Sequence, residues 1–182
     1  MADITKFDLL DNQKAERKLL VTAVNVGDSV TMEGGTPEWQ IVGVGVEDSA
    51  IEFNPDTETI TDILGITETT LNKFETTQSL DPMTIRGGSK LAVKLYNQVK
   101  YNRMSEFALY EVMQIHAYAA LGEGESKTYE AEVHKGCTLT PQSIGGSSTV
   151  DMPIDISYSN DKVHGTVDNF KYGSTVTFTP LV

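Results

Sequence analysis

Apolar and polar positions alternate along much of the chain with the two-residue period of strands, and one stretch alone carries a helical period. KLLVTAVN at 18–25 reads as a first strand. EWQIVGVGV at 38–46 is an apolar run rich in Val and reads as a buried strand. Between them, VGDSVTMEGGTP is punctuated by Gly-Gly and Pro and reads as loop. AIEF-NPDT-ETITDIL predicts a hairpin turning at 54–57, where Pro is pre-set for the second turn position. TETTLNKFETTQSLDP at 67–82 is Thr-rich with Leu71, Phe74 and Leu80 as sparse anchors. It reads as an extended arm or a strand with one wet face.

The helical period follows Gly87-Gly88. Ser89 is a fair N-cap, and Leu91, Leu95 and Val99 recur at i, i+4, i+8 with Ala92 and Tyr96 beside them. The spacing predicts a helix over about 89–102, one face on a sheet, with Lys90, Lys94 and Lys100 outward and Arg103 past its end. SEFALYEVMQIHAYAA at 105–120 reads as a central strand from its Phe, Tyr, Val and Ile content. TYEAEV at 128–133 puts Tyr129, Ala131 and Val133 on one face, and the odd-numbered phase continues through Cys137 and Leu139. TVDMPIDISYS at 149–159 points Val150, Met152, Ile154, Ile156 and Tyr158 inward, with Pro153 marking an edge strand or bulge. Short strands at 163–167 and 174–179 close the chain. The expected fold is mainly β, a β-sandwich or barrel-like domain with one flanking helix. It is a single domain over 1–182, with polar arms at about 1–16 and 170–182.

Charge changes this picture. The net charge is −12, and between Lys18 and Lys73 stand ten acidic residues and no basic one. Seven of them fall in VEDSAIEFNPDTETITDILGITE: Glu47, Asp48, Glu52, Asp56, Glu58, Asp62 and Glu68. Such a surface repels phosphate, which argues against tight nucleic-acid binding. A single cysteine, Cys137, leaves no internal disulfide and fits folding in a reducing cytoplasm. MADITKFDLL has neither a basic n-region nor an apolar h-region, so no signal peptide is expected, and no apolar run approaches a membrane span.

Catalytic chemistry finds little footing. His134-x-x-Cys137 is half of a metal site without a second half, so it reads as a loop His and a buried Cys. GVGVED lacks the third glycine and the following helix of a dinucleotide loop, and RGGSK reads as a turn plus N-cap. DTETITD lacks calcium-loop spacing. There is no G-x-S-x-G, and Trp39 is the only Trp available to a sugar platform. No enzyme, cofactor or metal is expected.

Three segments, EWQIVGVGVEDSAIEFNPDTETITDILGIT, TLNKFETTQSLDPMTIRGGSKLAVKLY and HKGCTLTPQSIGGSSTVDMPIDISYSND, together resemble the major tail tube proteins of long-tailed bacteriophages and prophages. The likeness covers about residues 15–167. It implies a β-sandwich flanked by a helix, six subunits closing into a ring, and rings stacking into a hollow tube that conducts viral DNA. Loops and arms would tie successive rings. Expected partners are further copies of the chain, tape-measure, terminator and distal tail proteins, and DNA in passage, with no membrane. The expected location is the virion, after synthesis in the host cytoplasm. An acidic lumen keeps DNA sliding, so Glu47, Asp48, Glu52, Glu58 and Asp62 are the candidate lumen residues. Thr69, Leu71, Phe74 and Leu80 are the candidate inter-subunit contacts. The alternatives are a tail terminator of the same particle, which stops at one ring, and a carbohydrate-binding β-sandwich.

Overall fold

A computed structural model describes residues 7–29, 35–46, 48–121, 127–168 and 176–181. The chain forms β1 (Leu20–Asn25), β2 (Trp39–Val42), β3 (Ile51–Glu52), β4 (Pro55–Thr61), β5 (Thr67–Phe74), β6 (Thr77–Leu80), α1 (Lys90–Lys100), β7 (Tyr110–Leu121), β8 (Thr128–Pro141), β9 (Ile154–Ser157), β10 (Lys162–Asp168) and β11 (Phe178–Pro180). The architecture is mainly β, a curled antiparallel half-barrel sheet with a single helix. Its strand order is β2-β1-β7-β8-β9-β6-β3, with β10 paired to β8 and β11 to β10. β4 and β5 form a separate two-stranded sheet.

β8 organises the whole. Residues 128–134 pair with β10, and residues 138–141 pair with β9. Against β7, Val112 faces His134 while Tyr110 faces Cys137, so β8 carries one extra residue at this point. Gly136 sits there at φ 69°, a conformation that costs glycine little. The bulge reverses which face an odd-numbered residue takes. Ala131 and Val133 join Val21, Ala23, Trp39, Met113 and Ile115 in one core. Cys137 and Leu139 join Val24, Tyr110, Val112, Ile154, Ile156 and the helix in another. The odd phase read from the sequence is therefore kept in number and broken in space.

α1 matches expectation in place and cap: the Ser89 hydroxyl accepts from Ala92 N–H, and Gln40 Oε1 of β2 accepts from Leu91 N–H. Its buried stripe is Leu91, Ala92, Leu95 and Gln98. Val99 and Tyr96, expected inward, are exposed. Gln98 takes the buried place because its side chain accepts a 2.6 Å bond from the Tyr110 hydroxyl.

Other expectations are corrected. The run at 38–46 is strand only to Val42, because Gly43 and Gly45 turn the chain at positive φ. No hairpin turns at 54–57: β3 pairs with β6, and Asn54 at φ 43° redirects the chain into β4. β9 starts after Pro153 and lies between β8 and β6, so it is no edge strand, and Val150 is exposed. The final strands are β10 and β11. The arms expected at 1–16 and 170–182 fall partly outside the described residues. Within the first, Asp8 N–H donates to Tyr118 O and Phe7 stacks edge-on to Tyr118.

Candidate functional site

Every residue from 52 to 75 is exposed. The segment still forms regular structure, because β4 and β5 pair from Pro55↔Phe74 to Thr61↔Thr67. Thr59 and Thr69 share a 3.2 Å hydroxyl bond and Thr61 and Thr67 a 3.1 Å bond, which builds a threonine ladder on one face. The opposite face carries Glu58, Ile60 and Glu68, by strand alternation from the same register. The turn is Asp62–Ile66: Asp62 Oδ1 accepts from Leu64 N–H and Ile66 N–H at 2.8 Å each, and Gly65 sits at φ 78°. A hairpin of this length projects about 20 Å. Its base is held by Asn54 Nδ2 donating to Glu75 O and Thr77 Oγ1, and by an edge-on contact of Phe53 with Phe74.

The hairpin displays Ile60, Ile63, Leu64, Ile66 and Leu71 to solvent, with Ile63 fully exposed. A two-stranded ribbon with no third layer is marginal by itself, and grouped apolar side chains outside any core mark an interaction surface. Glu58, Asp62 and Glu68 ride on this arm and have no ion pair among the described residues.

The acidic stretch therefore divides in two. Asp48 bridges to Asp81 beside β3, and with Glu52, Asp81 and Asp155 lines a shallow groove of about 530 Å³ at the sheet edge. Glu58 and Asp62 stand away from that edge, on the arm. Glu47 lies outside the described residues. Of the contact candidates, Thr69, Leu71 and Phe74 are on the exposed arm. Leu80 is 2% exposed, in the core with Met83 and Ile154. It is not a surface contact, because β6 is an interior strand whose Gln78 and Leu80 side chains point into the packed interior.

A second surface was not read from the sequence. The outward side of α1 shows Val93, Tyr96 and Val99, and Ile144 stands across from it. Lys94 Nζ lies 4.9 Å over the Tyr110 ring, and Lys100 Nζ lies 5.5 Å from the Tyr101 ring centre. Neither lysine meets a carboxylate within ion-pair distance among the described residues. The available signal was Val93, an apolar position off the Leu91–Leu95 stripe, with Tyr96 at the margin of that stripe.

His134 and Cys137 do not form a metal half-site. The His134 ring nitrogens lie 2.8 Å from Ser159 O and 3.2 Å from Glu132 Oε1, and the Cys137 thiol, pushed up to about 11 by burial, contacts His134 O. Burial pushes Glu132 up, but the hydrogen bond from His134 and the charge of Lys162 outweigh it and hold the carboxyl at about 2. Among the described residues no group of three or more His, Cys, Asp or Glu could hold a metal ion. Among the described residues no helix is long and apolar enough to cross a membrane.

No family model matches the chain, and no curated protein matches it. Among solved structures, one chain is similar from the sheath-tube complex of an extracellular contractile injection system, PVC, in the extended state. It has TM-score 0.44 and 11% identity, covering 84% of this chain and 92% of that one. A second is from the anti-feeding prophage cap, the AFP tube terminating cap. It has TM-score 0.47 and 13% identity, covering 91% of this chain and 99% of that one.

Proposed function

We propose that this protein is a structural subunit that closes into hexameric rings and stacks them into the hollow tube of a phage-type tail. The observation that carries the reading is the β4–β5 arm: an ordered hairpin, exposed along its whole length, with apolar side chains at its tip and no core of its own. A free chain gains nothing from holding Ile63, Leu64 and Ile66 in water, whereas a neighbouring subunit would bury them. The resemblance of residues 15–167 to major tail tube proteins and the mainly β fold with one helix support the same reading.

Within that assembly the arm makes the inter-subunit contact, through Leu71, Thr69, Phe74 and the apolar turn. The edge groove with Asp48 and Glu52 faces the lumen, where unpaired carboxylates keep passing DNA from adhering. Glu58 and Asp62 belong with the arm instead. No catalytic step is assigned.

Negative-stain electron microscopy of the purified chain across protein and salt concentration tests the reading. Hollow tubes of uniform width with a regular axial repeat are expected, favoured by salt that screens repulsion between acidic subunits. Single rings that never stack would make the chain a tail terminator. Chains that remain monomeric even on pre-formed tail-tip complexes would refute an assembly role.

A further inference from the structure

The arm needs a receptor, and the outward side of α1 has the matching shape and charge. A groove of about 330 Å³ runs between the helix and the segment after β8, lined by Tyr96, Val99, Lys100, Pro141, Ile144 and Met152. Val99 and Ile144 are each 54% exposed, so the groove is apolar and uncovered. The helix contributes Lys90, Lys94 and Lys100 and no acidic residue. In a chain of net charge −12 this is a concentration of positive charge, and Lys100, the lysine that lines the groove, has no carboxylate partner among the described residues. The arm is its complement. From residue 55 to residue 72 it holds Asp56, Glu58, Asp62 and Glu68 and no basic residue, and its turn presents Ile63 and Leu64.

We propose that the β4–β5 turn of one copy docks in the α1–Ile144 groove of a second copy. Ile63 and Leu64 enter between Val99, Ile144 and Met152, while a carboxylate of the flanking strands, Glu58 or Glu68, meets Lys100 at the groove wall. This inference rests on the assembly reading and names the receptor for its arm. The contact is heterologous, since arm and groove are different surfaces. Each docking event leaves one arm and one groove open, so the contact propagates until a ring closes or a filament grows. Opposite charge across the contact steers arm to groove and disfavours arm against arm.

Two full-length variants, Ile63→Cys and Ile144→Cys, test the docking when mixed and treated with a short bis-maleimide. The native Cys137 is fully buried and stays unreactive. The mixture is expected to give a covalent dimer in clear excess over either variant alone and over Ile63→Cys mixed with Leu181→Cys, an exposed control on the β11 side. Adding Lys100→Glu to the groove partner should lower the yield about three- to fivefold. Adding Glu58→Lys and Glu68→Lys to the arm partner should restore it. Tubes or rings by microscopy without the specific cross-link would overturn this docking alone and leave assembly to another surface. Neither assemblies nor cross-links, even on pre-formed tail-tip complexes, would overturn the docking and the assembly reading together. Cross-linking that charge reversal does not change would overturn the lysine–glutamate pairing and with it the proposed orientation.

Discussion

Two leucines from the same acidic, Thr-rich region separate folding from assembly. Leu64 is 78% exposed at the hairpin turn, and Leu80 is 2% exposed in the core. Leu64→Asp removes no intramolecular packing, so the monomer should lose less than about 0.5 kcal/mol. Leu80→Ala leaves a cavity, which costs about 2–5 kcal/mol. At this chain length each kcal/mol moves the melting temperature by about 2–4 °C, so Leu80→Ala should melt roughly 4–20 °C lower. Assembly should show the reverse order. If Leu64 is buried against a neighbour, its loss removes about 1.5–3 kcal/mol per contact, and the introduced carboxylate adds roughly 2 kcal/mol of desolvation. A total of about 3–5 kcal/mol raises the concentration needed for assembly by at least about a hundredfold. Circular-dichroism melting of the monomer and sedimentation of the assembled form read the two effects. A Leu64→Asp monomer that melts as low as Leu80→Ala would mean that the arm packs on its own sheet. A Leu64→Asp chain that assembles at wild-type concentration would mean that the turn is not a contact. Either result refutes the argument.

Acid should destabilise the fold through two groups with the same sign. Glu132 is held down at about 2 from an ordinary value of 4.5, so the unfolded chain binds the extra proton between those values; its contribution, about 3 kcal/mol, is present above pH 4.5 and is lost as pH falls toward 2. Burial lowers His116 from 6.5, so the unfolded chain also takes up that proton first and stability declines as pH falls below about 6.5. Urea melts from neutral to acid pH should show this fall, with a smaller decline below pH 4.5 in Glu132→Gln. Asp62→Ala removes the two side-chain hydrogen bonds of the turn and should raise amide exchange in β4 and β5 while leaving the global melting temperature unchanged, as hydrogen-exchange mass spectrometry would read. Asp48→Lys with Glu52→Lys should leave tube formation intact and make tubes retain DNA in a filter-binding assay, whereas wild-type tubes should not.

The parts of the fold that were legible in the sequence are those where local preference and tertiary packing agree. β1 carries Leu20, Val21 and Val24, β7 carries Val112, Ile115 and two tyrosines, β8 alternates Tyr129, Ala131 and Val133 on one face, and α1 is announced by Ser89 and the Leu91–Leu95 spacing. Of the stretch 67–82 read as an extended arm, β5 is exposed along its length, because a Thr-rich run with sparse anchors buries little, whereas β6 is an interior strand with Gln78 and Leu80 buried. The turn of the β4–β5 arm was not legible. Asn54-Pro55-Asp56 has turn chemistry, but the chain uses Asn54 as a bend between two sheets and closes the hairpin at Asp62–Gly65, inside a stretch whose Ile63 and Leu64 look strand-like. Val99 and Val150 misled for one reason: each shares a face with buried neighbours, Leu91 and Leu95 or Met152 and Ile154, but stands at the end of its run, where the core no longer covers that face. The groove beside α1 was hidden for the same reason, since Tyr96, Val99 and Met152 were counted as core.

The extra residue at Gly136 sets where this chain can change length. Residues on either side of it serve different cores and pair with different strands, β10 before and β9 after. Deleting one residue at 135 or 136 would exchange the burial of every side chain from Cys137 to Pro141, a fault that no nearby loop could absorb. The turn at 62–66 is under no such rule, because nothing in the subunit packs behind it. An insertion or grafted peptide at the tip of the arm should therefore leave the subunit folded and act on assembly alone, whereas one at the bend of β8 should prevent folding.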